Sequence, residues 1–165
     1  MPKVKISEIR LDPNNVRLHD HRNIEAIKSS LSRFGQQKPI VVGSDGTVFA
    51  GNGTLEAAKL LGWDRINVIR STLSKNEAAA FAIADNRASD LSMFDEAELV
   101  LSLKQIESFE GIDLEDVGYS ADDFQNLVEA MDQDPTPEDF KDYDENIPTE
   151  HECPKCSYKW SGSSS

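Results

Sequence analysis

The segment of residues 47–62 constrains the fold of this chain more than any other. It begins with Thr-Val-Phe-Ala, continues with Gly-Asn-Gly-Thr and ends with the apolar-rich stretch Leu-Glu-Ala-Ala-Lys-Leu-Leu-Gly. The first four residues favour a β-strand, and the pattern after the glycines predicts a helix over residues 55–61 that stops at Gly62. We therefore expect the chain to turn from a strand directly into a helix at a glycine-containing loop.

That loop is a candidate binding site for an anion. Gly51 and Gly53 permit close approach of a ligand, and the start of a helix presents unpaired N–H groups and the positive end of its dipole. The Thr54 hydroxyl is expected to cap the helix or to donate to a phosphate, and Asn52 adds an amide. A strand–helix turn with nothing bound is the alternative, because two glycines alone are a weak signal.

The rest of the chain predicts an α+β fold with a helical extension. Residues 11–17 have turn chemistry and are expected to form a loop. Strands are predicted at residues 4–6, 39–42, 47–50 and 66–69, with the middle two forming a hairpin around residues 43–46. Helices are predicted at residues 22–34, from a capping box of Ser74 and Glu77 to about residue 86, and around residues 99–106 and 124–131.

Charge divides the chain into two unequal parts. Residues 1–94 hold thirteen Lys and Arg against ten Asp and Glu, a net charge of +3, whereas residues 95–165 hold four against twenty, a net charge of −16. Because affinity for nucleic acid is mostly cation–phosphate electrostatics, DNA would be met through residues 1–94. The acidic part is otherwise a solvated, solubilising face.

Length and composition fit one domain with appendages. The chain has 165 residues and 38% apolar residues, which is enough for a small core. We expect a folded domain at residues 1–94, a helical extension at 95–131, an acidic linker or disordered tether at 132–152, a cysteine-containing island at 153–160 and a flexible tail at 161–165.

A cytoplasmic location without membrane contact is expected. The longest apolar run, residues 78–84, is far shorter than the ~20 residues that a spanning helix needs. The first residues alternate charge with apolar side chains and lack the apolar region of a signal peptide. Two cysteines three residues apart cannot form a disulfide framework, which favours a reducing compartment.

Several blocks, in order, resemble the N-terminal domain of ParB-like proteins in the ParB/sulfiredoxin superfamily, often called the ParB-like nuclease domain. The resemblance spans about residues 4–103, and the ordered succession is more specific than any single block. It implies a small mixed sheet with packed helices. The blocks are residues 12–17, 27–30, 34–42, 50–58, 61–62, 83–87, 90–91 and 94–95.

The resemblance implies a site for a nucleoside triphosphate, CTP or ATP, with magnesium. The loop of Gly51, Asn52, Gly53 and Thr54 matches the phosphate-binding block of the family. Arg17 matches the arginine that closes the first motif and reaches the phosphates. The match extends to a later block whose asparagine helps to hold the nucleotide or its magnesium ion; its counterparts here are Asn86 and Arg87.

The chain departs from the family pattern at several positions. Thr54 stands where many relatives have an arginine, so one phosphate cation is missing, and Asp85 replaces a glutamate. The phosphate loop has no cysteine, which argues against sulfiredoxin activity. Free-serine kinases use an early glutamate base, and the nearest acids here, none clearly aligned, are Asp12, Asp20 and Glu25.

The polar candidates also have structural interpretations. Arg17 can be an ordinary surface residue, and Arg87 can pair with Asp85 or Asp90 on one helix face. His19 and His21 flank an aspartate in a loop, where such a pair can ligate metal, although solvent-exposed loop residues are the more common outcome.

The C-terminal Cys-Pro-Lys-Cys sequence is half of a zinc ribbon. The spacing lets the thiolates of Cys153 and Cys156 reach one tetrahedral zinc ion, but a structural site needs four ligands. Completion is expected from a second chain or from His151 plus one other ligand, and a redox dithiol is the alternative.

These features predict a ParB-like nucleotide-binding module that acts in a DNA-related process of phage or mobile-element biology, with slow nucleotide hydrolysis. The alternatives are a phosphotransferase or nuclease, and a nucleotide-free interaction module whose pocket has decayed. A partition-type reader of DNA sequence is disfavoured, because residues 95–131 carry one lysine, Lys104, among many acids. The helical extension and the cysteine island are expected to mediate a homodimer or another protein contact.

Overall fold

A computed structural model describes residues 2–132 and 149–161 of the 165-residue chain. The chain divides into two compact units, residues 1–131 and 132–165, which are described separately. Most of the predicted acidic linker (residues 133–148) and of the flexible tail (residues 162–165) lies outside the described residues.

The first unit contains a four-stranded mixed sheet, which confirms the predicted fold class. Its order is β1-β4-β2-β3. β4 pairs antiparallel with β1 and parallel with β2, and β2 pairs antiparallel with β3, so the predicted hairpin is present. The strands are β1 (Lys3–Lys5), β2 (Ile40–Val42), β3 (Val48–Ala50) and β4 (Arg65–Arg70).

Five helices accompany the sheet in this unit. The Asp20 side chain caps the first helix by accepting from Asn23, and Gly35 ends it with a positive φ of 67°. Ser74 and Glu77 form the predicted capping box at the start of the third. The helices are α1 (His21–Phe34), α2 (Asn52–Leu60), α3 (Lys75–Leu91), α4 (Glu96–Glu107) and α5 (Ala121–Asp132), with short 3-10 helices at Ile6–Glu8 and Leu114–Val117.

The hydrophobic core lies between the sheet and the helices α1 and α2. In β4 the residues alternate, so that Ile66 and Val68 are buried while Arg65 and Ile69 are exposed. α2 contributes Leu55, Ala57 and Ala58, all fully buried. Since apolar burial stabilises by about 25 cal/mol per Å², this packing fixes the position of α2 and of the loop before it.

The structure corrects several predicted boundaries. α2 begins at Asn52 rather than at residue 55, so Thr54 is the third residue of the helix and does not cap it. α3 continues to Leu91, five residues beyond the predicted end. The predicted first strand ends at Lys5, because Ile6 begins a 3-10 helix.

The second unit contains a small antiparallel hairpin. Its strands are β5 (His151–Glu152) and β6 (Lys159–Trp160), with His151 opposite Trp160. β5 falls in the segment predicted to be linker, so the folded island begins earlier than expected. Among the described residues, no helix has both the length and the apolar character needed to cross a membrane.

Candidate functional site

No side chain in the described part of the protein caps the N-terminus of α2. Gly51 precedes it in a left-handed conformation with φ of 97°, and a Cβ there would lie 2.5 Å from Ile40 Cγ2. The first helical hydrogen bond runs from Leu55 N to Gly51 O at 3.0 Å. Within the described part of the chain, the N–H groups of Asn52, Gly53 and Thr54 have no acceptor, so three donors point out of the helix.

Asn52 fastens the preceding loop to this helix end. Its side chain is buried, with 8% exposure, and its Oδ1 accepts a hydrogen bond of 3.0 Å from the backbone N–H of Asp12. The Asp12 carboxylate in turn accepts from Asn14 N at 2.9 Å, which closes a turn. The Asn52 amide oxygen therefore has a structural role, because it already accepts a hydrogen bond from the Asp12 backbone.

Arg17 fastens the other end of the same loop to α3. Its Nη1 donates to Asp90 Oδ1 at 2.9 Å and to Asn86 Oδ1 at 3.4 Å. Within the loop, the Asn15 side chain donates to the backbone oxygen of Arg17 at 2.7 Å. The loop of residues 11–17 consequently bridges the start of α2 and the C-terminal part of α3, and it brings two predicted site residues, Arg17 and Asn86, into contact.

Two other predicted residues are placed differently. Arg87 is exposed on α3 and forms no hydrogen bond or ion pair with any other described residue. The alternative, an ion pair between Arg87 and Asp85 or Asp90, is not formed among the described residues, and the Asp90 carboxylate pairs with Arg17. Thr54 is half-buried, and its hydroxyl has no hydrogen-bond partner in the described ranges.

A cavity of about 830 Å³ adjoins the loop on the side of the hairpin and α3. None of the predicted site residues is among the described residues that line it, although Val16, next to Arg17, and Ile83, one helical turn before Asn86, do so. Its walls combine apolar side chains with about as many polar ones, and such a mixed lining suits a small organic ligand. The apolar lining residues include Leu11, Pro13, Phe49, Leu73, Ala79 and Ala82.

One wall of the cavity carries a charged network. Arg10 donates to Thr47 Oγ1 at 2.9 Å and pairs with Asp45. Hydrogen bonds from the backbone and hydroxyl of Thr47, together with the Arg10 guanidinium, hold the pKa of Asp45 below its ordinary value. These three side chains are thereby fixed at the rim.

His19 is a residue that sequence analysis did not connect with the glycine loop. Its Nδ1 lies 2.7 Å from Asn23 Oδ1, and its ring lies over Gly53, where a Cβ would be 2.8 Å from His19 Cε1. Of the two histidines expected to be solvent-exposed loop residues, His19 is half-buried in the loop, whereas His21 is exposed but is the first residue of α1. The sequence signal that could have found His19 is the glycine itself, which leaves room for a ring.

The described residues do not gather metal ligands into a complete site. Among the described residues, no three His, Cys, Asp or Glu side chains lie close enough together to hold a metal ion. Cys153 and Cys156 are both free thiols within the second unit. Zinc at this pair and magnesium at the phosphate loop therefore stay predictions.

Comparison with known proteins identifies the family. Residues 1–87 match the family described as the ParB N-terminal domain. The chain belongs to this family. It is 28% identical over 64 residues to the ParB-like nuclease domain-containing protein YnaK of Escherichia coli (strain K12), a match that covers 39% of this chain and 74% of YnaK. The predicted resemblance is thus confirmed.

A solved structure has the same fold. It is the C-terminally truncated chromosome-partitioning protein ParB from Caulobacter crescentus, complexed with CTP-gamma-S. The TM-score is 0.67 at 19% sequence identity, and the match covers 79% of this chain and 78% of that one. The α+β architecture of the ParB N-terminal domain is therefore present here.

Proposed function

We propose that this chain is a ParB-like module that binds a nucleoside triphosphate, CTP or ATP, in a DNA-related process. The observation that carries the proposal is the loop of residues 11–17. One end of this loop contacts the uncapped N-terminus of α2 at Asn52. At its other end Arg17 contacts Asn86 of α3. The backbone donors at one end of this loop, and the guanidinium and amide at its other end, suit the phosphate groups of a nucleotide.

Each group has a chemical role in this proposal. The N–H groups of Gly53 and Thr54 donate to phosphate oxygens, helped by the positive end of the α2 dipole. Arg17 exchanges its contact with Asp90 for a phosphate, and Asn86 contributes its amide. The cavity of about 830 Å³ beside Val16 receives the base and the ribose. Its size is within the range of about 300–1,000 Å³ that is usual for small-molecule sites.

The structural neighbour supports the choice of ligand. That ParB from Caulobacter crescentus was crystallised with CTP-gamma-S, and it shares the fold of this chain. Magnesium would come with the triphosphate and be held mainly by phosphate oxygens, with Asn86 as the nearest predicted protein group. Slow hydrolysis of the nucleotide is part of the proposal.

The phosphotransferase and nuclease alternatives lack a comparable observation. Each of the three acids named above as a possible general base has a hydrogen-bond or ion-pair partner. Asp12 accepts from Asn14, Asp20 caps α1, and Glu25 pairs with Lys28 at 2.8 Å. A general base needs access to its substrate, which these contacts restrict.

Residue-resolved binding tests the proposal. In an amide NMR titration of the full chain with CTP and with ATP in the presence of magnesium, the amide signals of Gly53 and Thr54 should shift with the signals of Arg17. The amides of Val100 and Leu103, buried on α4, serve as internal controls and should stay unchanged. Saturable shifts confined to other residues would refute the placement of the phosphates.

A second function, contact with DNA, is favoured by the exposed face of the sheet. The β1–β4 register puts Lys3 opposite Asn67 and Lys5 opposite Arg65, and all three cations are exposed. The alternate residues of both strands face the core, so the basic side chains share the solvent face. Phosphates of DNA are attracted to such a face without any reading of sequence.

Charge reversal tests this second function. The double variant Lys3→Glu/Lys5→Glu should lose most of the low-salt DNA affinity of the full chain, whereas Lys75→Glu, on α3, should change it little. Deleting residues 132–165 removes nine acids and three lysines and should strengthen binding through lost repulsion. Equal binding by the charge-reversed and natural chains would exclude this face.

The junction of α3 and α4, where the first domain meets the helical extension, offers a surface for a protein contact. Exposed apolar side chains surround the junction of α3 and α4, with exposures of 65% for Leu91, 94% for Met93 and 73% for Phe94. Contiguous exposed apolar surface commonly marks an interaction site. A homodimer or another partner at this junction stays a prediction, and the same holds for the boundary at residue 94.

A further inference from the structure

The cysteine island has the backbone of a metal-binding knuckle. Ser157 N donates to Cys153 O at 2.8 Å, and Cys153 N donates to Tyr158 O at 2.8 Å, so the chain reverses tightly around the two cysteines. Ser157 is in a left-handed conformation with φ of 57°, at the position where such knuckles usually have glycine. The strands β5 and β6, which precede and follow this turn, pair antiparallel.

Both cysteines of this turn are free thiols, and Cys153 is half-buried. The Cys156 side chain is exposed, which leaves this sulfur accessible from outside the hairpin.

The island does not supply a third ligand of its own. His151, the candidate for a site within one chain, packs instead against Trp160 across the hairpin, with ring centroids 5.5 Å apart. No third His, Cys, Asp or Glu of the described residues joins the two cysteines. A structural zinc ion needs four ligands, so two of them must come from outside the island.

We infer that two copies of this chain share one zinc ion, each contributing Cys153 and Cys156 to a tetrahedral four-sulfur site. A two-fold arrangement supplies the two missing thiolates with the same geometry as the first two. The island itself is electrically balanced, because residues 149–161 contain two glutamates and two lysines. The stacked rings of Tyr158 and Trp160, 68% and 38% exposed, are available to pack against the second copy.

Cobalt titration of the full chain tests this inference. The reduced, metal-free protein is titrated with Co²⁺, whose visible absorption reports tetrahedral sulfur ligation, and its mass in solution is measured before and after one addition of Zn²⁺. We expect saturation at about half an equivalent per chain, a four-sulfur spectrum and a zinc-dependent increase in mass. Ser157→Gly, which relieves the left-handed serine, should retain or tighten binding.

The remaining outcomes decide against the inference. Saturation at one equivalent per chain, with no change in mass, would assign the ion to a single chain with ligands from elsewhere in it. Absence of any sulfur–cobalt absorption would leave the cysteines as a free dithiol. If Cys153→Ser/Cys156→Ser keeps the zinc-dependent increase in mass, the association does not use this pair. None of these readouts depends on nucleotide binding.

Discussion

The Arg17 guanidinium donates a 2.9 Å hydrogen bond to the carboxylate of Asp90, 73 residues away in the chain. The arginine assigned to the phosphates is thus held by an acid on α3 in the ligand-free protein. About half of each side chain is exposed, at 45% and 50%. An exposed ion pair of this kind is worth only about 0–1 kcal/mol, so a triphosphate can displace the carboxylate.

Removing the competing acid should therefore tighten nucleotide binding. Asp90→Asn is expected to lower the Kd roughly two- to fivefold, which corresponds to the free energy of one exposed ion pair. Calorimetry compares it with Asp85→Asn, which removes another exposed acid of α3 that has no ion pair in the described ranges. Equal effects of both substitutions would indicate general electrostatics, and weaker binding by Asp90→Asn would mean that the acid positions Arg17 for the ligand.

Restoring the missing family cation should strengthen binding further. Thr54 is the third residue of α2, half-buried and without a hydroxyl partner in the described part of the chain. Thr54→Arg is expected to lower the Kd about tenfold or more, because a charge-assisted hydrogen bond contributes about 1.5–3 kcal/mol. Thr54→Gln, of similar length but uncharged, is the control. A matching gain by the glutamine variant would show that reach rather than charge is responsible.

The contact between His19 and Gly53 predicts a coupling in stability. A Cβ at Gly53 would lie 2.8–2.9 Å from the His19 ring and 3.0 Å from Ile27 Cδ1. Alanine normally raises the stability of a helix by ~1 kcal/mol relative to glycine. Gly53→Ala should lose most of this increase in the free energy of unfolding, because its Cβ is too close to these side chains. In the His19→Ala background the same change should be more favourable, by about 1 kcal/mol in a double-mutant cycle.

Denaturant unfolding of the four proteins measures this coupling. A coupling free energy near zero would mean that the ring does not restrict Gly53. The same contact means that bulky substitutions at Gly53 disturb the packing of α1 on α2. They are therefore unsuitable for testing nucleotide binding alone.

Asp123 should make the stability of the first unit depend on pH. Hydrogen bonds from the hydroxyl and backbone of Ser120, together with Arg22, hold the pKa of Asp123 well below its ordinary value. A carboxyl group with a lowered folded-state pKa stabilises the protein above about pH 4, and this contribution is lost as the pH falls further. Asp123→Asn should lower the Tm at pH 7, and its difference from the natural chain should narrow below about pH 4.

Thermal unfolding between pH 7 and pH 2.5 measures that difference. The adjacent, exposed Asp122 offers the matched control, because Asp122→Asn changes the same charge on the same helical turn. A difference between Asp123→Asn and the natural chain that stays constant across this range would contradict the assignment.

Local signals account for the elements that could be predicted. Gly35 ends α1, and Ser74 with Glu77 starts α3, because caps and stop residues act within one turn of chain. The start of α2 was missed by three residues. Its N-cap is Gly51 in a left-handed conformation, and no side-chain pattern in the sequence predicts such a cap.

The site depended on contacts that sequence periodicity does not encode. Asp90 and Asn86 meet Arg17 only because β-strand pairing and the packing of α3 bring the loop to that helix. The ring of His19 over Gly53 likewise results from tertiary packing. The family resemblance supplied Arg17 and Asn86 as candidates, but it gave no information on the acid that competes for the arginine.

Calorimetric titration of the full chain with CTP, ATP and GTP, each with and without magnesium, tests the central claim most directly. We predict saturable binding of CTP or ATP that weakens about tenfold or more in Arg17→Ala, because one charge-assisted contact is lost. Arg33→Ala, which removes an arginine paired with Asp116 on another part of the first unit, should bind like the natural chain. If no nucleotide produces heat or raises the Tm, the nucleotide-binding proposal is wrong and the chain is a nucleotide-free interaction module.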